Sequence, residues 1–283
     1  MKSLQYQATL RDALHFEGVG VHTGAPSSVD IVPASPGSGI TFVLSEGTRV
    51  QASAEFVTET ARATVLGRDG ATVSTVEHLM AALFAMGVDN ATVTVSGPEI
   101  PVMDGSAKAF AEKIAQSGVL SQNEIRNRLV ITSPHFFRED DRLLVVLPAS
   151  RLRVRFLADF APPIGTQFFD AEITPEIFLN EIAAARTFGY LHEVEALRKR
   201  GLAQGGTLEN AVVFGPDGPL KPLRWPDEVV RHKVLDLLGD LSLIGVYPQC
   251  EVIAIKSGHR LHCIATRELR KLIAPALPSV KVR

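Results

Sequence analysis

The segment Arg231-His232-Lys233-Val234-Leu235-Asp236 sets an imidazole and a carboxylate four residues apart. On a helix that spacing stacks them one turn apart on a single face, where both can bind one metal ion. Asp240 continues the face by another turn. A solvated His–Asp pair on an amphipathic helix has the same spacing, so this segment alone does not decide. The second candidate is Glu77-His78, within Ser74-Thr75-Val76-Glu77-His78-Leu79. Ser74 and Glu77 have the spacing of a capping box, in which Glu77 would bond back to the Ser74 N–H. The chemical alternative makes His78 a metal ligand and Glu77 a general base. Adjacent helical positions diverge by about a quarter turn, which suits a base that must approach the water and not the ion.

Together, His78, His232 and Asp236 make a three-ligand set with one open position, the arrangement of catalytic rather than structural zinc. Zinc brings its water to a pKa of about 7, and a carboxylate beside it can complete the deprotonation. His259, in Ser257-Gly258-His259, follows the apolar run 251–256. A histidine beyond a Gly hinge is either a solvated loop residue or a group projecting into a cleft. In a cleft it can stabilise an oxyanion or protonate a leaving amine. His15, His135 and His192 read as surface or packing residues. No P-loop or dinucleotide fingerprint occurs, and the basic–aromatic interleaving of single-strand binders is absent; nucleic acid is not an expected partner.

These residues need a frame to position them. The chain has 283 residues, 46% apolar and 21% charged, which suits one large globular domain or two ordinary ones. Lys and Arg total 29 against 31 Asp and Glu, so a net charge of −2 offers no global attraction for nucleic acid or an anionic membrane. Cys250 and Cys263 are the only cysteines, too few for a disulfide framework and in keeping with a reducing cytoplasm. The longest apolar run, 79–88, is about half a membrane span, and the N-terminal stretch Met1-Lys2-Ser3-Leu4-Gln5-Tyr6-Gln7 lacks the apolar core of an export signal. The expected protein is cytoplasmic.

Period-2 alternation predicts strands over 29–32, 40–44, 90–96, 143–147, 152–160 and 251–256. Helical periodicity predicts helices over 76–86, 106–116, 227–244 and 263–272, with a further helix beginning at Thr174-Pro175-Glu176. The polar stretch 117–127 is read as the boundary between domains 1–122 and 123–283. Gly- and Pro-rich 215–226 is read as loop. Each half ends helix, strand, helix, and each first helix carries a histidine near its start. That repetition predicts a duplicated α+β unit whose two histidines converge.

Further motifs run in order along the chain. Gly18-Val19-Gly20-Val21-His22-Thr23-Gly24 and Ser74-Thr75-Val76-Glu77-His78-Leu79 are followed by Pro98-Glu99-Ile100-Pro101-Val102-Met103-Asp104-Gly105-Ser106-Ala107. Then come Ala185-Arg186-Thr187-Phe188-Gly189, Gly205-Gly206-Thr207-Leu208-Glu209-Asn210, Asp227 through Asp236, Gly239-Asp240-Leu241 and Lys256-Ser257-Gly258-His259. Over nearly its whole length the chain resembles the zinc-dependent UDP-3-O-acyl-N-acetylglucosamine deacetylases of lipid A biosynthesis.

The resemblance implies zinc ligands at His78, His232 and Asp236, a general base at Glu77 and a catalytic histidine at His259 oriented by Asp240. It implies an oxyanion-binding hydroxyl at Thr187, a sugar-packing aromatic at Phe188 and a substrate-contacting lysine at Lys233. The implied fold is two α+β domains, each a sheet with helices on one face, the helices sandwiched between the sheets. An acyl-chain insert is expected near 160–174. The chain departs from the usual family residues at Ala161-Pro162-Pro163, Lys108-Ala109-Phe110 and Arg260-Leu261-His262. The expected substrate is the acylated UDP-sugar, taken by a monomer that touches a membrane surface at most peripherally. The alternatives are a deacetylase of another N-acetyl amino sugar and a zinc-stabilised binding protein without turnover.

Overall fold

Strands with one buried and one solvated face build two sheets of the same design. The computed structural model describes residues 5–273; Met1 to Leu4, part of the stretch read for an export signal, lie outside the described residues. In the first half the strands run in the order Leu14–Val19, Pro26–Pro33, Ala91–Val95, Ile40–Val43, Arg49–Gln51. In the second half the order is His135–Glu139, Arg142–Pro148, Tyr247–Ile255, Arg153–Asp159, Thr166–Glu172. In both sheets the third and fourth strands are parallel and the other neighbours antiparallel. The short strand Arg128–Val130 adds a parallel pairing to the start of Tyr247–Ile255. Matching strand order and matching directions are the duplication that the helix–strand–helix repetition predicted.

The α-helices among the described residues are α1 (Glu77–Ala85), α2 (Lys108–Ser117), α3 (Pro175–Ile177), α4 (Leu191–Lys199), α5 (Glu228–Ser242) and α6 (His259–Arg270). α1 is apolar nearly all round, as a helix enclosed on several sides must be; α5 adds buried charged and polar groups to its apolar positions, and both are buried along most of their length. They pack on each other, and one continuous core runs from Leu14, Ile31 and Phe42 through Leu79 and Leu83 to Val234, Leu238, Phe156 and Leu269. α6 begins four residues earlier than its apolar periodicity suggested. Gly258, extended, serves as its N-cap, and Leu261, His262, Ala265, Thr266 and Leu269 form its buried face. Thr174 caps α3 as expected, its hydroxyl accepting from the Ile177 N–H at 3.1 Å.

The polar stretch read as the domain boundary contains the strand Val119–Ile125, paired antiparallel with Tyr6–Leu10; its backbone bonds compensate for a sequence with little apolar alternation. Residues 160–174, where an acyl-chain insert is expected, make a tight turn and the edge strand Thr166–Glu172 of the second sheet. Among the units that lie off both large sheets are the strands Val57–Glu59, Val65–Arg68 and Ala71–Val73, and the group formed by Phe188–Tyr190, α4, Val212–Gly215 and Gly218–Pro219.

The helices α1 and α5 come very close at Gly239. A Cβ there would lie 2.2 Å from the Glu77 carbonyl oxygen, a backbone atom that cannot swing aside. Gly239→Ala therefore has to push α5 away from α1 at the residue pair that carries the site. Overpacking of this kind costs about 1–3 kcal/mol. We expect a clear drop in thermal midpoint together with weakened metal retention; an unchanged midpoint would show that the helices can separate freely.

Candidate active site

His78 lies in the first turn of α1 and His232 and Asp236 on one face of α5. All three are buried. One ligand atom from each falls within 4.8 Å of the others. The two imidazole rings stand nearly perpendicular, centroids 5.0 Å apart. Asp236 Oδ1 is 3.4 Å from His232 Nε2 and 3.8 Å from His78 Nε2. It is buried with no hydrogen-bond partner, an expensive arrangement unless something else meets it. His232 Nδ1 donates to the Ala185 carbonyl at 3.0 Å, which leaves the Nε2 lone pair facing His78 and Asp236. Two imidazoles and a carboxylate around an orphaned oxygen fit a zinc-type cation.

Electrostatics point the same way. Burial, then the neighbouring His232, lowers His78 to about 3, and burial lowers His232; both are held neutral, the form that ligates metal. For Asp236 burial works against ionisation, but Lys233 and the imidazoles of His232, His259 and His78 outweigh it and hold the carboxyl far below its ordinary range. Lys233 Nζ donates to Asp236 Oδ2 at 2.7 Å.

Glu77 does not close a capping box. The residue before α1 makes no side-chain cap, and Glu77 Oε2 accepts instead from the Thr64 N–H at 3.0 Å. Tertiary contact has replaced the local bond. Glu77 is buried, and burial pushes its carboxyl up to about 7, helped by Asp236 and Asp240 and opposed by His259. His259 is the first residue of α6, not a loop residue. Its Nδ1 donates to Asp240 Oδ2 at 2.8 Å. Burial alone would lower His259, but the charge and hydrogen bond of Asp240, with Asp236 and Glu77 behind it, raise it to about 9. Asp240 is correspondingly held at about 2, His259 and His262 overcoming its burial. Its other oxygen accepts from Thr64 Oγ1 at 2.6 Å.

The Ala185-Arg186-Thr187-Phe188 segment runs past His232. Arg186 forms a buried pair with Glu228 at the start of α5, Nε to Oε1 at 2.8 Å and a terminal nitrogen to Oε2 at 3.1 Å. The Thr187 N–H donates to the Gly105 carbonyl at 2.7 Å, and its carbonyl accepts from the Val212 N–H at 2.8 Å, which fixes where its side chain starts. Gly105 has φ +87°, and a Cβ there would fall 1.9 Å from the Asn210 oxygen, so only glycine permits this approach of the two halves. Phe188 stands edge-on to His232 with centroids 6.0 Å apart and to Phe160 at 5.1 Å.

His78, His232, Asp236, Glu77, His259, Asp240 and Lys233 thus share one buried neighbourhood, with Phe188 beside His232. Thr64, His262 and the Ala185 carbonyl join them. Sequence reasoning missed Thr64, which lies in no periodic segment, and treated His262 only as a departure.

A search of protein-family models matches residues 7–271 to UDP-3-O-acyl N-acetylglycosamine deacetylase. The chain is 44% identical over 272 residues to a UDP-3-O-acyl-N-acetylglucosamine deacetylase of Geobacter sp. (strain M21), covering 94% of this chain and 89% of that one. It is 45% identical to the Nostoc sp. protein of the same name over 267 residues, 90% of this chain and 95% of that one. The Myxococcus xanthus protein of that name is also 45% identical, over 90% of this chain and 83% of its own length.

Proposed function

This chain belongs to the UDP-3-O-acyl N-acetylglycosamine deacetylase family, and from that premise we propose that it works with Zn²⁺ held by His78, His232 and Asp236. It is a hydrolase of lipid A biosynthesis that removes the N-acetyl group of UDP-3-O-acyl-N-acetylglucosamine, giving UDP-3-O-acyl-glucosamine and acetate. The observation that carries the zinc reading is the buried, partnerless Asp236 Oδ1 facing two neutral imidazoles. When bound, the ion supplies Lewis acidity at the acetyl carbonyl and makes water acidic enough to surrender a proton near neutral pH.

The remaining steps fall to the chain's own groups. Glu77 takes a proton from the attacking water as its oxygen bonds to the acetyl carbon. Thr187 holds the resulting oxyanion, and cationic His259 adds electrostatic stabilisation. The C–N bond then breaks, and the amine leaves with a proton from His259 or from protonated Glu77. Asp240 keeps His259 charged and oriented. Phe188 packs against the sugar, and Lys233, with donors to spare beyond its bond to Asp236, contacts substrate. The 3-O-acyl chain follows the apolar side chains of Phe160, Ile164, Tyr190, Val212 and Phe214, which pack around Phe188. This site lies at the junction of the proposed domains 1–122 and 123–283. No helix among the described residues is long and apolar enough to cross a membrane. We place the protein in the cytoplasm as a monomer, with membrane contact at most peripheral.

Metal content measured alongside turnover of UDP-3-O-acyl-N-acetylglucosamine, with and without the acyl chain, tests the reading. Zinc should co-purify, and the acylated substrate should have the higher kcat/KM. Indifference to the chain would favour a deacetylase of another amino sugar. Bound zinc without hydrolysis would favour a binding protein.

A further inference from the structure

The carboxylate that orients His259 carries a partner beyond that pair. His262 is fully buried, and its Nδ1 lies 2.8 Å from Asp240 Oδ2. That oxygen is the one His259 Nδ1 meets, also at 2.8 Å. On its other side His262 Nε2 lies 2.8 Å from Ser257 Oγ. An ionised carboxylate only accepts hydrogen bonds, so both Nδ1 atoms must carry the proton. Burial lowers His262 and keeps it neutral, so its Nε2 is the acceptor and the Ser257 hydroxyl donates. One proton arrangement satisfies the whole chain from Ser257 through His262 to Asp240. Phe156 meets the His262 ring edge-on, interplanar angle 89°, which holds the ring plane.

The Asp terminal torsion is broad and weakly restrained by itself. Here donors from two separate stretches of chain converge on it: Thr64 on Oδ1, His259 and His262 on Oδ2. Rotating the carboxylate breaks at least one of these bonds. We propose that His262 is a positioning residue for the deacetylation, its Nδ1–H locking Asp240 so that His259 points Nε2 toward the reacting groups. His259 Nε2 sits 3.9 Å from Asp236 Oδ2, so the aim it preserves is into the site. The inference rests on the role given above to His259.

The test is steady-state turnover of UDP-3-O-acyl-N-acetylglucosamine by the zinc-loaded full chain and its variants, with metal content and thermal midpoint measured on each. His262→Phe fills the space without a donor; we expect kcat to fall about 10–100-fold, as for other supporting partners, with KM and metal content unchanged. His262→Asn, whose amide N–H can reach Asp240, should recover most of that loss. In a His259→Gln background the Phe substitution should cost less than about twofold, because the two act through one carboxylate. Ser257→Ala, which keeps the fold even should the Phe variant not, should lower kcat by about 2–10-fold, the worth of one neutral hydrogen bond. Wild-type kcat in both His262→Phe and Ser257→Ala, or an equal loss from His262→Phe with and without His259, would overturn the positioning role while leaving the reaction intact. An inactive wild type would overturn the underlying reading as well.

Discussion

Replacing Glu77 with Gln lowers kcat by about 10²–10⁴-fold, the usual worth of a positioned general base, while metal content and KM stay near wild type. Gln is close in shape and can still accept the Thr64 N–H that Glu77 Oε2 receives at 3.0 Å, so the start of α1 keeps its anchor. What it lacks is a site for the proton of the attacking water. The pH dependence follows from the same residues. Glu77 works as a base in its ionised form, present above its pKa, so activity rises with pH through a value that burial has pushed up to about 7. His259 works as a cation, present below its pKa, so activity falls above a value that Asp240 and the other carboxylates hold up at about 9. A divalent cation in the cradle stabilises the deprotonated form of both groups, so the two limbs of the rate profile lie at or below these values. The residual activity of Glu77→Gln should lose the acid limb, and that of His259→Gln the alkaline one. A Glu77→Gln protein with wild-type kcat, or with an unmoved acid limb, would remove Glu77 from this role.

His232→Ala should leave the protein unable to retain zinc through dialysis and reduce deacetylation by about 10³-fold or more, since metal-assisted charge stabilisation amounts to several kcal/mol. The substitution removes the Nε2 ligand atom, and it also strips the Ala185 carbonyl of the N–H it accepts at 3.0 Å. Ala185 precedes Arg186 and Thr187, so the segment that carries the oxyanion-binding hydroxyl loses one tether. The Arg186–Glu228 pair remains, and the fold should survive, which circular dichroism and the thermal midpoint would verify. A folded His232→Ala protein that deacetylates at the wild-type rate would sink the three-ligand assignment. Loss of activity with full zinc retention would move His232 from ligand to support.

Much of the α+β frame was legible because period and punctuation are local. The helix start at Thr174-Pro175 and the strand alternation over 91–95 and 153–159 appear in the structure close to where they were read. Helix, strand, helix in each half also revealed the duplication that the two strand orders display. Misreadings came where a distant partner outcompeted a local one. Ser74 and Glu77 have capping-box spacing, yet Glu77 bonds to Thr64. The stretch 117–127 is polar and turn-rich in composition, yet Val119–Ile125 pairs with a strand more than a hundred residues away. His259 falls outside the helix predicted from apolar periodicity, which starts only at Cys263, while the cap at Gly258 leaves no side-chain signature.

By itself the sequence determined the donor types and their spacing: an imidazole and a carboxylate one turn apart on α5, and a glutamate adjoining a histidine at the start of α1. It also set Gly239 beside Asp240. These are properties of a few consecutive residues and of helix geometry. Only the tertiary structure decided that the two helices meet with those groups facing one another, that Ala185 leaves His232 Nε2 turned inward, and that Thr64 bridges Glu77 and Asp240. Those outcomes depend on bonds between residues up to 176 positions apart. Such bonds exist only after the two sheets have buried α1 and α5 between them, where an unpaired polar atom is costly enough to select one arrangement.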